Sequence, residues 1–445
     1  MKKKVISALL LLIAALGGYG YLKGVVDFNK PSFIFEKEPS AIGSRTEIKF
    51  KVVDEKPGLK EVAIFLVQGD KKIKILEDKD FPISLKEKEY QININGRNLG
   101  LKDGQAKLVF IAKDASYLQN KTELEFDVNI DYTAPKIRLI ARPPDVRNGG
   151  AGFILFKGLS DDIDSAEVKV GNMFFKCFDN ILPNPKVYGC TFGYPYYWKN
   201  KKPIVLYVKD KAGNITTQFI KYRFIRINYK RSIINLTDEF IETKVRPLSD
   251  KEIDDPVLLF KYVNVEIRKR NEEVIHNITK QFSIKKPLIT GRFLQLKGSK
   301  KLGDFADYRK YRYKGHIIEG ADAVHKGMDF ASIRNAPVQA AETGKVVFAG
   351  FLGIYGNSVI IEHGMGIFTL YSHLAEFNVK KGDMVKKGQE IALTDTTGLA
   401  MGDHLHFGVL IQGLEVTPLE WIERTWLPTR FLNIYNKLNK FYGGK

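Results

Sequence analysis

The chain has 445 residues, 44% of them hydrophobic, and a formal charge of +19 spread along its length. Such a length predicts about three domains with ordinary cores. The basic residues are not gathered into a recognition helix, and there is neither a Cys-rich zinc finger nor a basic region followed by heptads, so nucleic acid is excluded as the partner and an envelope of anionic polymers and lipid head groups suffices.

The chain opens with Met1-Lys2-Lys3-Lys4 and an apolar run from Val5 to about Leu22. Three lysines before such a run mark the cytoplasmic side and send the rest of the chain out of the cell, into the periplasm if the envelope has two membranes. Ala15-Leu16-Gly17 offers a cleavage site, which would give a secreted protein. The run continues for about eighteen residues, enough to span a bilayer, and residues 1–24 are read as an uncleaved anchor in the cytoplasmic membrane. Cys177 and Cys190, an even count in an exported chain, are expected to pair, with two free thiols as the alternative.

From Lys30 to about Ile227 the sequence consists of strands and turns. Ile48 to Val53, Val62 to Leu66 and Leu124 to Val128 read as strands, punctuated by Pro-Gly, Gly-Asp and Ala-Gly-Asn pairs. Val109-Phe110-Ile111-Ala112-Lys113-Asp114 is echoed by Val205-Leu206-Tyr207-Val208-Lys209-Asp210, and Pro31-Ser32-Phe33-Ile34 more loosely by Pro135-Lys136-Ile137-Arg138. A repeat of roughly a hundred residues has the size of an immunoglobulin-like sandwich. The second copy, with Lys209-Asp210-Lys211-Ala212-Gly213-Asn214, resembles bacterial immunoglobulin-like modules. Two tandem sandwiches are expected, over residues 31–131 and 132–227, acting as spacers or as docking sites for other envelope proteins. The run Tyr194-Pro195-Tyr196-Tyr197-Trp198 reads as half core and half surface loop, or as a sugar or protein contact patch.

Residues 228–300 read as a helical connector. Asp254-Asp255-Pro256 starts a long amphipathic helix carrying Leu259, Val263, Ile267, Val274 and Ile278, and a shorter helix lies near Thr237 to Thr243.

Six of the seven histidines fall between Gly315 and Leu410: His316, His325, His363, His373, His404 and His406. Three short motifs hold the informative ones. His325 and Asp329 form His-x-x-x-Asp, Tyr371-Ser372-His373-Leu374 adds an imidazole, and His404-Leu405-His406 forms His-x-His. Even spacing lets each pair share one face of an extended segment. Catalytic zinc takes three protein N or O ligands and keeps one open position, so two strands can supply a site with imidazoles to spare for proton transfer and oxyanion support. His363 is expected to cap a surface turn, His316 lies in a polar segment, and Asp322 and Asp403 read as carboxylates of loops or of the layer behind the ligands.

These motifs, with GKVVFAGFLGIYGNSVIIEHGMGIFTLYSHL and VKKGDMVKKGQEIALTDTTGLAMGDHLHFGV between and around them, resemble the lysostaphin-type (LytM-like) zinc endopeptidases of bacterial peptidoglycan over roughly Arg312 to Trp421. The resemblance implies one Zn²⁺ per chain, held by His325, Asp329 and His406, with His373 and His404 as the catalytic imidazoles. It implies an antiparallel β-sheet domain over residues 301–425, with a cleft for peptidoglycan stem peptides and a tail at 426–445. The whole chain is thus expected to be mainly β and multidomain. It also implies cleavage of peptide cross-links in the wall. Relatives that have lost the ligands instead bind and activate wall amidases, and the intact set of five argues against that alternative. Segments upstream of such domains can cover the metal groove. The connector is placed to do so, in which case deleting residues 228–286 should raise activity.

Overall fold

The computed structural model describes residues 27–442 apart from 80, 83, 84 and 185, so the expected anchor over 1–24 lies outside the described residues. Among the described residues no helix is long and apolar enough to cross a membrane. The protein is mainly β and multidomain. It forms two compact units, one reaching to Pro135 and including Asp162–Ser165 and Val208–Thr216, the other comprising Lys136–Asp161, Ala166–Tyr207 and Thr217–Lys445.

In the first unit, alternation in the sequence becomes alternation of burial. Strand Thr46–Val53 buries Thr46, Ile48, Phe50 and Val52 and exposes or half-exposes the residues between. It sits between Ser32–Phe35 and Glu87–Ile94 in a three-stranded sheet. A five-stranded sheet, centred on Gly104–Asp114 with Leu59–Gln68 and Lys121–Ile130 as neighbours, contributes Ile64, Leu66 and Phe110 to the same core. Phe110 meets Phe33, Phe35, Phe50 and Phe126 edge to face at 5.0–5.8 Å between centroids, the favoured arrangement for aromatic quadrupoles.

In the second unit, strands Ile137–Ala141, Ala151–Gly158, Val187–Gly193 and Met173–Phe178 lie side by side in that order. Cys177 and Cys190 face each other across the last pair and form a disulfide. Ala151–Gly158 is buried along almost its whole length, unlike a strand with one wet face. The cause is Phe153, whose ring packs on Trp421, Trp426 and Phe431. Residues 426–442 are therefore not a free tail: a π-helical turn, Pro428–Leu432, and helix Asn433–Tyr442 are part of this packing, with the Tyr435 hydroxyl donating to the Ile181 carbonyl. In the aromatic run, Tyr194 is fully buried while Tyr197 is exposed.

The connector is built into the second unit. Its strand Arg231–Leu236 pairs in parallel with Tyr308–Tyr313. Thr237 caps the short helix by accepting the Phe240 N–H. Asp255 caps the long helix by accepting from Val257 and Leu258, with Pro256 in the first turn, where a missing N–H costs nothing. Helix Pro256–Tyr262, a π-helical stretch Val263–Ile267 and helix Arg268–Thr279 follow without a break. Leu259, Val263 and Ile267 are buried as the spacing predicts, but Val274 is exposed and Ile275 takes the inward position. These residues share one core with Tyr311, Ile354, Phe368 and Leu370. Deleting residues 228–286 would open that core, so it is not a clean way to uncover the groove.

After the helix, residues 281–299 run as an extended strap held by two buried carboxylates. Glu362 accepts from Ser283 N and Oγ and from Ile284 N, and Glu342 accepts from Thr290 N and Gly291 N while pairing with Lys387 at 2.9 Å. The strap covers the turn at His363, with Leu288 N donating to the His363 carbonyl. That corrects the expectation of a surface cap, because His363 is fully buried. Its ring bonds to the Thr343 carbonyl and Thr369 Oγ at 2.8 and 2.7 Å.

The sheet that brings the three histidine motifs together has the order Lys300–Gly303, Met328–Ala331, Leu405–Ile411, Ile367–Phe377, Asn357–Glu362, Gly344–Phe351, Met384–Val385. All three motifs thereby reach one end of three adjacent strands.

Candidate metal centre

Antiparallel register sets Asp329 directly opposite His406, and His406 opposite Ser372, the residue before His373. His325 reaches the same point from across a bend at Gly327. A Cβ there would lie 2.6 Å from both His406 Nε2 and the Phe407 carbonyl, so only glycine allows the approach. Gly303 has the same role opposite, since its Cβ would meet Asp329 Oδ2 at 2.3 Å.

The three side chains converge tightly. His325 Nε2 is 2.9 Å from Asp329 Oδ1 and 2.9 Å from His406 Nδ1, which is 3.0 Å from the same oxygen. All three residues are buried. The His325 Nδ1–H donates to the Asp304 carbonyl at 2.8 Å, which leaves Nε2 as a lone pair aimed at the cluster. Burial works against the Asp329 carboxylate, but His325 and His406 outweigh it and hold its pKa well below the usual range. Burial also pulls His406 down to about 4, keeping the ring neutral at physiological pH. A compact set of two imidazole nitrogens and one carboxylate oxygen is a donor group for a metal ion.

The other two imidazoles stand beside this set. His373 and His404 have ring centroids 4.8 Å apart, and His404 Nε2 lies 3.6 Å from Asp329 Oδ1. Each donates Nδ1–H to a carbonyl, His373 to Thr397 and His404 to Gly402, both at 2.7 Å. Nε2 of each ring is thereby left without the proton. His373 has φ +61°, a left-handed conformation costly for a residue with a Cβ, and strain of this kind gathers where a side chain must be aimed.

All five residues line one cavity of about 390 Å³, together with Ile234, Phe240, Phe260 and Arg268 of the connector and Leu302 and Met401 at its rim. His316 is exposed on a short strand. Asp403 accepts from Asn335 N, and Asp322 bonds to the Tyr308 hydroxyl. No motif announced Arg309, whose Nη2 lies 3.3 Å from Asp329 Oδ2 and fixes the carboxylate from behind. Only strand pairing shows which face of Tyr308–Tyr313 it occupies.

Residues 323–418 match peptidase family M23. The C-terminal domain is a peptidase family M23 domain. Among its relatives, the DD-carboxypeptidase/endopeptidase Mpg of Neisseria meningitidis is 36% identical over 132 residues, 29% of this chain and 30% of that protein. The peptidoglycan DD-endopeptidase ShyB of Vibrio cholerae is 41% identical over 105 residues, 24% of this chain and 25% of its own. The chain therefore spans less than a third of the length of these relatives. The catalytic domain of lysostaphin from Staphylococcus simulans is 31% identical and covers 28% of this chain and 94% of its own, with a TM-score of 0.25.

Proposed function

We propose that the protein is a zinc-dependent endopeptidase that hydrolyses peptide cross-links of bacterial peptidoglycan, working in the cell envelope and tethered to the cytoplasmic membrane through residues 1–24. The observation that carries this reading is the convergence of His325 Nε2, Asp329 Oδ1 and His406 Nδ1 within 3.0 Å of one another, beside two further imidazoles with free Nε2 atoms. Two neutral imidazoles and a carboxylate are a donor set suited to zinc. The names of the relatives Mpg and ShyB support the wall as substrate.

A zinc ion at this site supplies Lewis acidity for the scissile carbonyl and acidifies a water molecule. The chain's own residues do the rest. His373 or His404 takes a proton on Nε2, and the pair, once charged, supports the oxyanion and returns the proton to the leaving amine. The carbonyls of Thr397 and Gly402 hold the two rings in the tautomer that makes this possible. Arg309 holds Asp329 in position from behind, and the connector side chains Phe240 and Phe260 give the groove an apolar wall that limits water.

The test is digestion of purified sacculi by the full-length protein in detergent with zinc, the products being identified by mass spectrometry. Release of cleaved stem peptides, abolished by His325→Ala, is expected. A wild-type protein that stays inert while stimulating a wall amidase would overturn the proposal.

A further inference from the structure

The two strand repeats each carry the same small group of side chains. In the first, Asn120 Nδ2 donates to the Asp27 carbonyl at 2.8 Å and to Asp114 Oδ2 at 2.7 Å. In the second, Asn214 Nδ2 donates to the Asp131 carbonyl at 2.9 Å and to Asp210 Oδ2 at 3.0 Å. The backbone repeats the pattern, with Asp114 N bonded to the Asn120 carbonyl and Asp210 N to the Asn214 carbonyl, both at 3.1 Å. A third carboxylate stands near each group, Asp54 feeling the charges of Asp114 and Asp27 in the first repeat and Asp162 that of Asp131 in the second. All of these residues belong to the first compact unit.

In the first group, hydrogen bonds do not account for the charge. Asp27, Asp54 and Asp114 are 4%, 3% and 0% exposed, and none of them has an ion-pair partner among the described residues. Asp54 Oδ2 and Asp27 Oδ2 are buried with no hydrogen bond at all. A buried carboxylate oxygen without a donor is strongly unfavourable unless a cation meets it. In the second group, oxygens of Asp131, Asp162 and Asp210 lie within 4.8 Å of one another, the span of ligands around one ion. Carboxylates with no imidazole or thiolate are hard donors, suited to a hard cation.

We propose that each repeat binds one Ca²⁺, the first through Asp27, Asp54 and Asp114 and the second through Asp131, Asp162 and Asp210. Calcium rather than magnesium fits, because irregular carboxylate sets from separate strand ends and loops match its flexible coordination by six to eight oxygens, whereas magnesium demands a near-ideal octahedron. The two asparagines preset the sites by tying the carboxylate at the strand end to the segment that carries the first aspartate.

The test uses full-length, zinc-loaded protein in detergent, freed of calcium, in calorimetric titrations with CaCl2 and with MgCl2. Two Ca²⁺ per chain are expected, with Kd on the order of 0.1–1 mM, as in extracellular modules. Asp54→Asn and Asp210→Asn should each lower the stoichiometry to one and together to zero, with zinc content and circular dichroism as in wild type. The two variants probe different sites, so misfolding of one leaves the other informative. His325→Ala should keep both calcium sites, which separates this proposal from the reading of the zinc centre. No binding at 10 mM Ca²⁺, a stoichiometry that both variants leave unchanged, or Mg²⁺ binding of equal strength would each overturn it.

Discussion

Lys326 places its ammonium 2.8 Å from Glu272 Oε2 and 3.3 Å from Glu415 Oε1, so the residue next to His325 is tied to the long connector helix. His276 of the same helix reaches Glu415 at 2.7 Å. Burial disfavours the charged lysine, but Glu415 and Glu272 more than offset this and hold it protonated. Lys326→Met would leave two carboxylates facing each other without their cation, at a cost of about 3 kcal/mol. Thermal denaturation should show a clear drop in Tm, and Glu272→Gln a smaller one because Glu415 still meets the lysine. An unchanged Tm in Lys326→Met would remove the clamp from the account.

His373→Ala and His404→Ala should keep their zinc, since the three proposed ligands are untouched, while losing roughly 10²–10⁴ in hydrolysis rate. Metal content and muropeptide release, measured on the same preparations, test this. Loss of zinc from His373→Ala would show that its role is structural.

His363 gives the fold an acid limit. Burial holds its pKa at about 4 against 6.5 for the unfolded ring, so the folded state keeps it neutral. The stability it contributes is fully present above about pH 6.5 and is lost as pH falls through about 4, some 3 kcal/mol in all. Urea unfolding between pH 7 and 4 should show the decline, and His363→Gln should flatten it. An equal slope in the variant would assign the acid sensitivity to other groups.

Trp421 is fully buried between Phe153, Phe293 and Trp426. Trp421→Ala should destabilise the second unit by about 3–5 kcal/mol. Chemical denaturation measures the loss, and a change below about 1 kcal/mol would mean that the aromatic cluster is not a core.

Much of this architecture was legible because local rules and tertiary structure agree. Period-two burial identified Thr46–Val53, the Asp255-Pro256 start identified the long helix, and three short motifs identified the five side chains that meet in the cavity. What escaped depended on partners distant in sequence. Nothing near His363 announces the strap that buries it, and nothing near Trp421 announces Phe153. Arg309 is one basic residue among several in its strand, and only the parallel pairing with Arg231–Leu236 and the turn to Val324 bring it to Asp329. The inward choice of Ile275 over Val274 follows a helix phase that spacing alone left ambiguous.

The strap over residues 281–299 bears on how this protein should be cut for expression. A fragment begun near Arg312, where the recognisable motifs start, would discard Ser283, Ile284, Thr290 and Gly291, stripping Glu362 of its strap donors and leaving Glu342 only Lys387 and the Thr343 N–H inside a folded sheet. Such a truncation would aggregate or refold poorly for reasons unrelated to its chemistry. A soluble catalytic fragment has to begin upstream of Arg231, so that the strap, the helix and the parallel strand travel with the motifs they support.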